Sequence, residues 1–191
     1  YEVLQQRLTT EQRRNLGNEL PVGSPLCFLF QMSESDLLEP GIIPTSLPDF
    51  VLASLCGVAP SVEATNAMAY ELVDLRTMQW HAKVIRQLGL ERVSWPAIRQ
   101  SGDIVGFMQA GERRIPCYTP VGDYQCALVG AMLSKDELSL NISTGSQVSR
   151  LTSSLEPGDY QTRPFFDRKF TNTLSHLPAG RSLNILVDLL A

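Results

Sequence analysis

Two stretches decide how this chain reads: Pro120-Val121-Gly122-Asp123-Tyr124-Gln125-Cys126-Ala127-Leu128 and, further on, Leu140-Asn141-Ile142-Ser143-Thr144-Gly145-Ser146-Gln147. In the first, Gly122 turns the chain out of a proline-bearing strand and into a helix expected from Tyr124 to Met132, so that Asp123 stands at the handover. A carboxylate there suits the positive end of the helix dipole and nearby amide donors. It has two uses. It caps free N–H groups at a helix start, or it accepts a hydrogen bond from a bound hydroxyl and aims that oxygen. In the second stretch, residues alternate with period two on both sides of Thr144-Gly145-Ser146, which is a hairpin signature. An ordinary turn accounts for it. So does an anion site, in which backbone amides and the hydroxyls of Ser143, Thr144 and Ser146 surround a phosphate and Gly145 admits its close approach.

Outward from these stretches, the spaced leucines of residues 3–20 predict one helix. Ser46-Leu47-Pro48-Asp49 opens another, with serine at the N-cap, proline early and an acid at the third position, and Gly57 closes it. A third is expected from Thr77 to Gly89, with Trp80, Val84 and Leu88 on one apolar face. Ile104–Phe107 and Ile115–Pro120 read as strands, the second at an edge because of its prolines. Residues 152–164 read as loop or linker, Phe165 to Ser175 as short strands, and Gly180-Arg181-Ser182 as the start of a last helix. The sum is α/β.

Composition narrows the partners. The 191 residues are 43% apolar and carry a net charge of −4, without a basic block or aromatic-basic interleaving, which argues against nucleic acid. No apolar run approaches the ~18 residues of a membrane span, and no signal peptide is recognisable at the start given. The chain begins at Tyr1 and ends in an apolar helical run, as if cut from a longer protein. Cys27, Cys56, Cys117 and Cys126 form no CxxC pair, so buried free thiols in a reducing, cytoplasmic compartment are expected, with no metal set. His81 and His176 lack ligating neighbours, Arg113, Arg114 and Arg150 read as solvated charges, and Trp80 and Trp95 as core.

Gly122-Asp123 followed by Gln125-x-Ala127-Leu128, then Asn141-Ile142-Ser143-Thr144-Gly145-Ser146, resembles the catalytic-base and second phosphate segments of the FGGY carbohydrate kinases. Ala64-Thr65-Asn66-Ala67, Leu72-Val73-Asp74-Leu75-Arg76-Thr77, Trp80 and Leu88-Gly89-Leu90 are similar to that family's upstream motif, as are Ile104-Val105-Gly106 and Ile115-Pro116 in order. Asn141 to Thr144 with Gln147, and Phe165-Phe166-Asp167-Arg168, look most like the sedoheptulose-phosphorylating members. The resemblance covers the chain from about Ser46 onward.

The resemblance implies an actin-like, ribonuclease-H-like sugar-kinase domain, incomplete here. Residues 1–152 would be part of the N-terminal sugar-binding and catalytic domain, and 153–191 a linker and the start of the C-terminal nucleotide domain. Asp123 is then the general base, Tyr124 and Gln125 neighbour the sugar, and Ser143, Thr144, Gly145 and Ser146 face the γ-phosphate of ATP. The implied reaction is transfer of that phosphoryl group to a terminal hydroxyl of a ketose or polyol, sedoheptulose by the wording of the motifs. ATP and Mg2+ are the expected cofactors, the metal's ligands lying mostly outside the chain. The expected partners are the sugar, the rest of the chain's own polypeptide and a second copy, with no nucleic acid and no membrane. Two departures stand out. Ser143-Thr144 replaces the family's Gly-Thr, and its N-terminal Asp-x-Gly-Thr segment is absent, so the chain is expected to hold half a site and not to turn over alone. The alternative is a non-catalytic sugar-binding or interaction module on the same fold.

Overall fold

The computed structural model describes residues 1–190 except Thr144 and Pro157; of the His176 side chain nothing is described. The chain divides into two compact units, Tyr1–Asp123 and Tyr124–Ala191.

The first unit begins with α1 (Glu2–Arg7), α2 (Thr10–Asn15), α3 (Pro25–Glu34) and α4 (Leu47–Cys56). The single helix expected over 3–20 is thus two. Leu8 is extended (φ −102°, ψ 128°), and Thr9 closes a capping box with Gln12: each side chain accepts the other's backbone N–H. Two orphan amides are satisfied at once, which favours a new start over continuation. α3, unforeseen in the sequence, starts with Ser24 at its N-cap and Pro25 behind it. α4 begins and ends as expected, with Ser46 capping Asp49 N–H and Gly57 left-handed at φ 65°.

β1 (Ser61–Glu63) runs directly into the one-turn α5 (Ala64–Ala67). β2 (Val73–Asp74) and β3 (Gln79–Trp80) form a small hairpin, followed by α6 (Ala82–Gln87). The third helix therefore starts later than Thr77: Trp80 pairs with Val73 on a strand, and His81 caps the helix through Nδ1 to Val84 N–H. The apolar face survives the change. Val84 and Leu88 are buried in a core with Leu4, Leu26, Phe30 and Leu90, and Trp80 packs against it, its ring centre 4.9 Å from that of Trp95 and tilted by 44°. β4 (Ala97–Arg99) pairs parallel with β1. β5 (Ile104–Ala110) and β6 (Arg113–Tyr118) form a two-stranded antiparallel hairpin that includes Pro116. At Gly106 a Cβ would stand 2.7 Å from that of Cys56, so glycine allows β5 to lie close on the end of α4.

α7 (Asp123–Gly130), shorter than expected, starts at the last residue of the first unit and runs on into the second, which also holds β7 (Leu138–Ile142), β8 (Ser146–Thr152), β9 (Gln161–Pro164), β10 (Phe170–Leu177) and α8 (Gly180–Leu190). One antiparallel sheet runs in the order β7-β8-β10-β9. β9 lies inside the stretch read as loop, and the sheet pairs residues on both sides of residue 152. No described side chain of α8 is buried, and its Leu183, Leu186 and Leu190 are exposed. Cys117 is buried, but Cys27 and Cys56 are half-buried and Cys126 is exposed on α7, which corrects the expectation of four buried thiols. Among the described residues no helix is long and apolar enough to cross a membrane.

Glu71 follows the turn Met68–Tyr70 in a left-handed conformation (φ 58°), is 2% exposed, and its Oε2 has no hydrogen-bond partner. Burial pushes its carboxyl up to about 8, the Ser24 hydroxyl opposing and the Glu19 charge adding. The folded chain therefore holds a proton that the unfolded chain, titrating near 4.5, has lost. Stability from this group is full below about 4.5 and drains away as pH rises towards 8. Glu71→Gln in the full-length protein should raise Tm at pH 8 by roughly 4 °C or more and leave it nearly unchanged at pH 4.5. Parallel Tm–pH curves for variant and wild type would contradict this.

Candidate functional site

The approach to Asp123 is held from the first turn of α5. Glu63 is the N-cap of that helix, and its Oε2 accepts the Thr65 N–H at 2.8 Å and also the Thr65 hydroxyl. The same hydroxyl oxygen accepts the Gly122 N–H at 2.8 Å, and Asn66 Nδ2 donates to the Pro120 carbonyl at 3.0 Å. Glu63, Thr65 and Gly122 are all buried. Burial raises the Glu63 carboxyl above its ordinary range, the bonds from Thr65 and Ala64 pull the other way, and the charge of Asp49 adds to the rise. Asp49 is itself raised by burial, with the Ser46 hydroxyl donating to its Oδ2 at 2.6 Å. Asp123 comes one residue after this anchored peptide, exposed at the first position of α7. Solvent and a small substrate can reach it.

Within the second unit, Tyr124 is half-buried, its hydroxyl hydrogen-bonded to Ser149 Oγ, which in turn meets Thr173 Oγ1 at 2.7 Å. The Arg163 guanidinium lies 5.8 Å from its ring centre. Gln125 is 3% exposed and donates through Nε2 to the Pro164 carbonyl at 3.1 Å. Its amide braces α7 against β9, so its part is played from behind the surface.

The hairpin expected around Gly145 is present: β7 and β8 pair antiparallel with Ile142 opposite Ser146. Thr144 lies outside the described residues. Beside the turn is an open cavity of about 300 Å³ lined by Asn141, Ser143, Gly145, Ser146, Gln147 and Ser175. Hydroxyls and carboxamides dominate this lining and no carboxylate enters it, which suits an anion rather than a cation. The Ser143 N–H and hydroxyl both go to the Gly145 carbonyl, at 2.9 and 3.2 Å, so the Ser143 amide is not among the donors left for a ligand. The Gly180 N–H donates to the Ser143 carbonyl at 3.1 Å, tying the turn to the start of α8. Among the described residues no group of three His, Cys, Asp or Glu side chains is placed to hold a metal ion.

No family model matches the chain. Sedoheptulokinase of Homo sapiens is 25% identical over 158 residues, which cover 76% of this chain and 33% of that protein. Among solved structures, xylulose kinase from Rhodospirillum rubrum superposes over 100% of this chain and 42% of its own, with TM-score 0.82 and 14% identity. Plasmodium falciparum glycerol kinase with ADP covers 99% and 42%, with TM-score 0.71 and 16% identity. The chain is similar in sequence to sedoheptulokinases and in fold to sugar and glycerol kinases. It has their α/β, actin-like fold and spans about a third of the length of the curated relative it matches.

The residues that sequence reasoning passed over are Glu63, Thr65 and Asn66. Thr65 and Asn66 belong to the quoted motif, but nothing in their spacing says that they reach forward to Pro120 and Gly122. Glu63 gave a weaker signal still, a lone acid ahead of a one-turn helix. The Tyr124 hydroxyl is placed to hold α7 on the sheet, so Tyr124→Phe in the full-length protein should cost about 1 kcal/mol in denaturant unfolding. An unchanged unfolding midpoint would show that this bond contributes nothing.

Proposed function

We propose that the full-length protein transfers the γ-phosphoryl group of ATP to a terminal hydroxyl of a ketose or polyol. The observation that carries the reading is the exposed carboxylate of Asp123 at the head of α7, directly after a buried and anchored glycine, in a chain related to carbohydrate kinases. The Asp123 carboxylate accepts the proton of the sugar hydroxyl as that oxygen bonds to the γ-phosphorus. The bond from phosphorus to the bridging oxygen breaks, and ADP departs with the electron pair. The half-buried Tyr124 is proposed to border the sugar. Hydroxyl and amide donors around Gly145, with Thr144 and Ser146, are proposed to receive the phosphate, since a turn lined by such groups complements spread negative charge. Magnesium bound to ATP supplies charge neutralisation on the phosphates. The cavity beside the turn lacks carboxylates, so this chain is assigned no magnesium ligand there.

Sedoheptulose is proposed as the substrate within this class. The reading is supported by the Asn141–Thr144 wording and by the match to human sedoheptulokinase over 76% of the chain. The remainder of the polypeptide is proposed to complete the nucleotide site, in keeping with the third of the relative's length that this chain spans.

Asp123→Ala in the full-length protein should lower sugar-dependent ADP release by a thousandfold or more, while sugar affinity by thermal shift or calorimetry stays within about tenfold, because a positioned base acts mainly in the transition state. Unchanged turnover would remove Asp123 from the mechanism. Sugar binding by the wild type without sugar-dependent ADP release would favour the non-catalytic binding module.

A further inference from the structure

We infer that Thr65, locked by Glu63, is a positioning residue for Asp123. The inference rests on the proposed role of Asp123 as base and adds a residue that acts through it. Gly122 has no side chain, so nothing on that residue itself restrains the two backbone torsions that set where Asp123 points. The restraint comes from outside. The Gly122 N–H is buried and is taken by the Thr65 hydroxyl oxygen at 2.8 Å. Two residues earlier, the Pro120 carbonyl is held by Asn66 Nδ2 at 3.0 Å, and the Pro120 ring fixes its own φ.

The Thr65 hydroxyl can do this only in one rotamer. Its proton goes to Glu63 Oε2, which also takes the Thr65 backbone N–H, leaving a hydroxyl lone pair for Gly122. A carboxylate or a carboxylic acid serves Thr65 equally as acceptor, and burial of Glu63 at 4% exposure keeps water from competing. Without the hydroxyl, a buried amide is orphaned and the glycine regains its freedom. A displacement of about 1 Å at a reacting group costs on the order of a hundredfold in rate. The loss should appear in kcat and not in sugar affinity, since Thr65 and Glu63 are both buried.

The test compares Thr65→Val, Thr65→Ser and Asp123→Ala in the full-length protein, using kcat, sugar KM, Tm and residue-resolved hydrogen exchange. Thr65→Val, which keeps the shape and removes the hydroxyl, should lower kcat about thirtyfold to a hundredfold with KM within about threefold. Its Gly122 amide should exchange at least tenfold faster. Thr65→Ser should restore both readouts to within about threefold of wild type. An unchanged kcat or an unchanged Gly122 exchange rate in Thr65→Val overturns the inference. If Thr65→Val does not fold, Thr65→Ser still decides: a folded serine variant that loses turnover or Gly122 protection overturns it. The clamp takes the backbone N–H of Gly122 and is read by the Gly122 exchange rate, whereas full turnover in Asp123→Ala overturns the reading of Asp123 as base.

Discussion

The Thr65 hydroxyl makes one bond in each direction, giving its proton to Glu63 and receiving the Gly122 N–H. That pair of bonds fixes the strand-to-helix handover on which α7 and Asp123 depend. The elements on either side could not do so alone. β6 ends at Tyr118 and, among the described residues, pairs only with β5, and the chain from there to Asp123 includes Pro120 and Gly122, one without an amide donor and one without a side chain. Such a segment has to be held by something remote in sequence, and α5 supplies the holding groups from more than fifty residues upstream. The stability of that contact comes from burial: hydrogen bonds shielded from water are worth more, and orphaned ones cost more.

The second unit follows a different logic. Its sheet buries a row of small hydroxyl residues, Ser149, Thr171 and Thr173, where a larger apolar set would be usual, and Tyr124 joins that row through Ser149. The same sheet delivers the β7–β8 turn, whose Ser143 amide and hydroxyl are spent on Gly145 and whose Ser143 carbonyl is taken by Gly180. A turn braced in this way is preorganised. The Ser143 hydroxyl adds a second bond inside the turn.

Much of this was legible in the sequence because it is local. Ser46, Pro48 and Gly57 announce α4 by capping chemistry confined to a dozen residues. The alternation around Gly145 announces a hairpin in the same way. The misses share a cause too. Thr9 and Gln12 form a capping box whose signature was present, yet the leucine spacing on both sides suggested one unbroken helix. Trp80 fits a helical apolar face and a two-residue strand equally well, and pairing with Val73 decided for the strand. β1 and β4 pair across more than thirty residues, and β9 is four residues with a proline, too short to show a period. At the site, Asp123 and the turn were legible as motifs, whereas the clamp that holds Gly122 was not, since long-range hydrogen bonds leave no spacing in the chain.

The account stands or falls on whether phosphoryl transfer to a sugar takes place at all. Phosphorus NMR of the full-length protein with ATP, Mg2+ and a panel of ketoses and polyols follows this directly. A sugar-phosphate monoester signal should grow in step with ADP, only when a suitable sugar is present, and fastest with sedoheptulose. ADP and inorganic phosphate appearing without any sugar phosphate, or no turnover with any member of the panel, would contradict it.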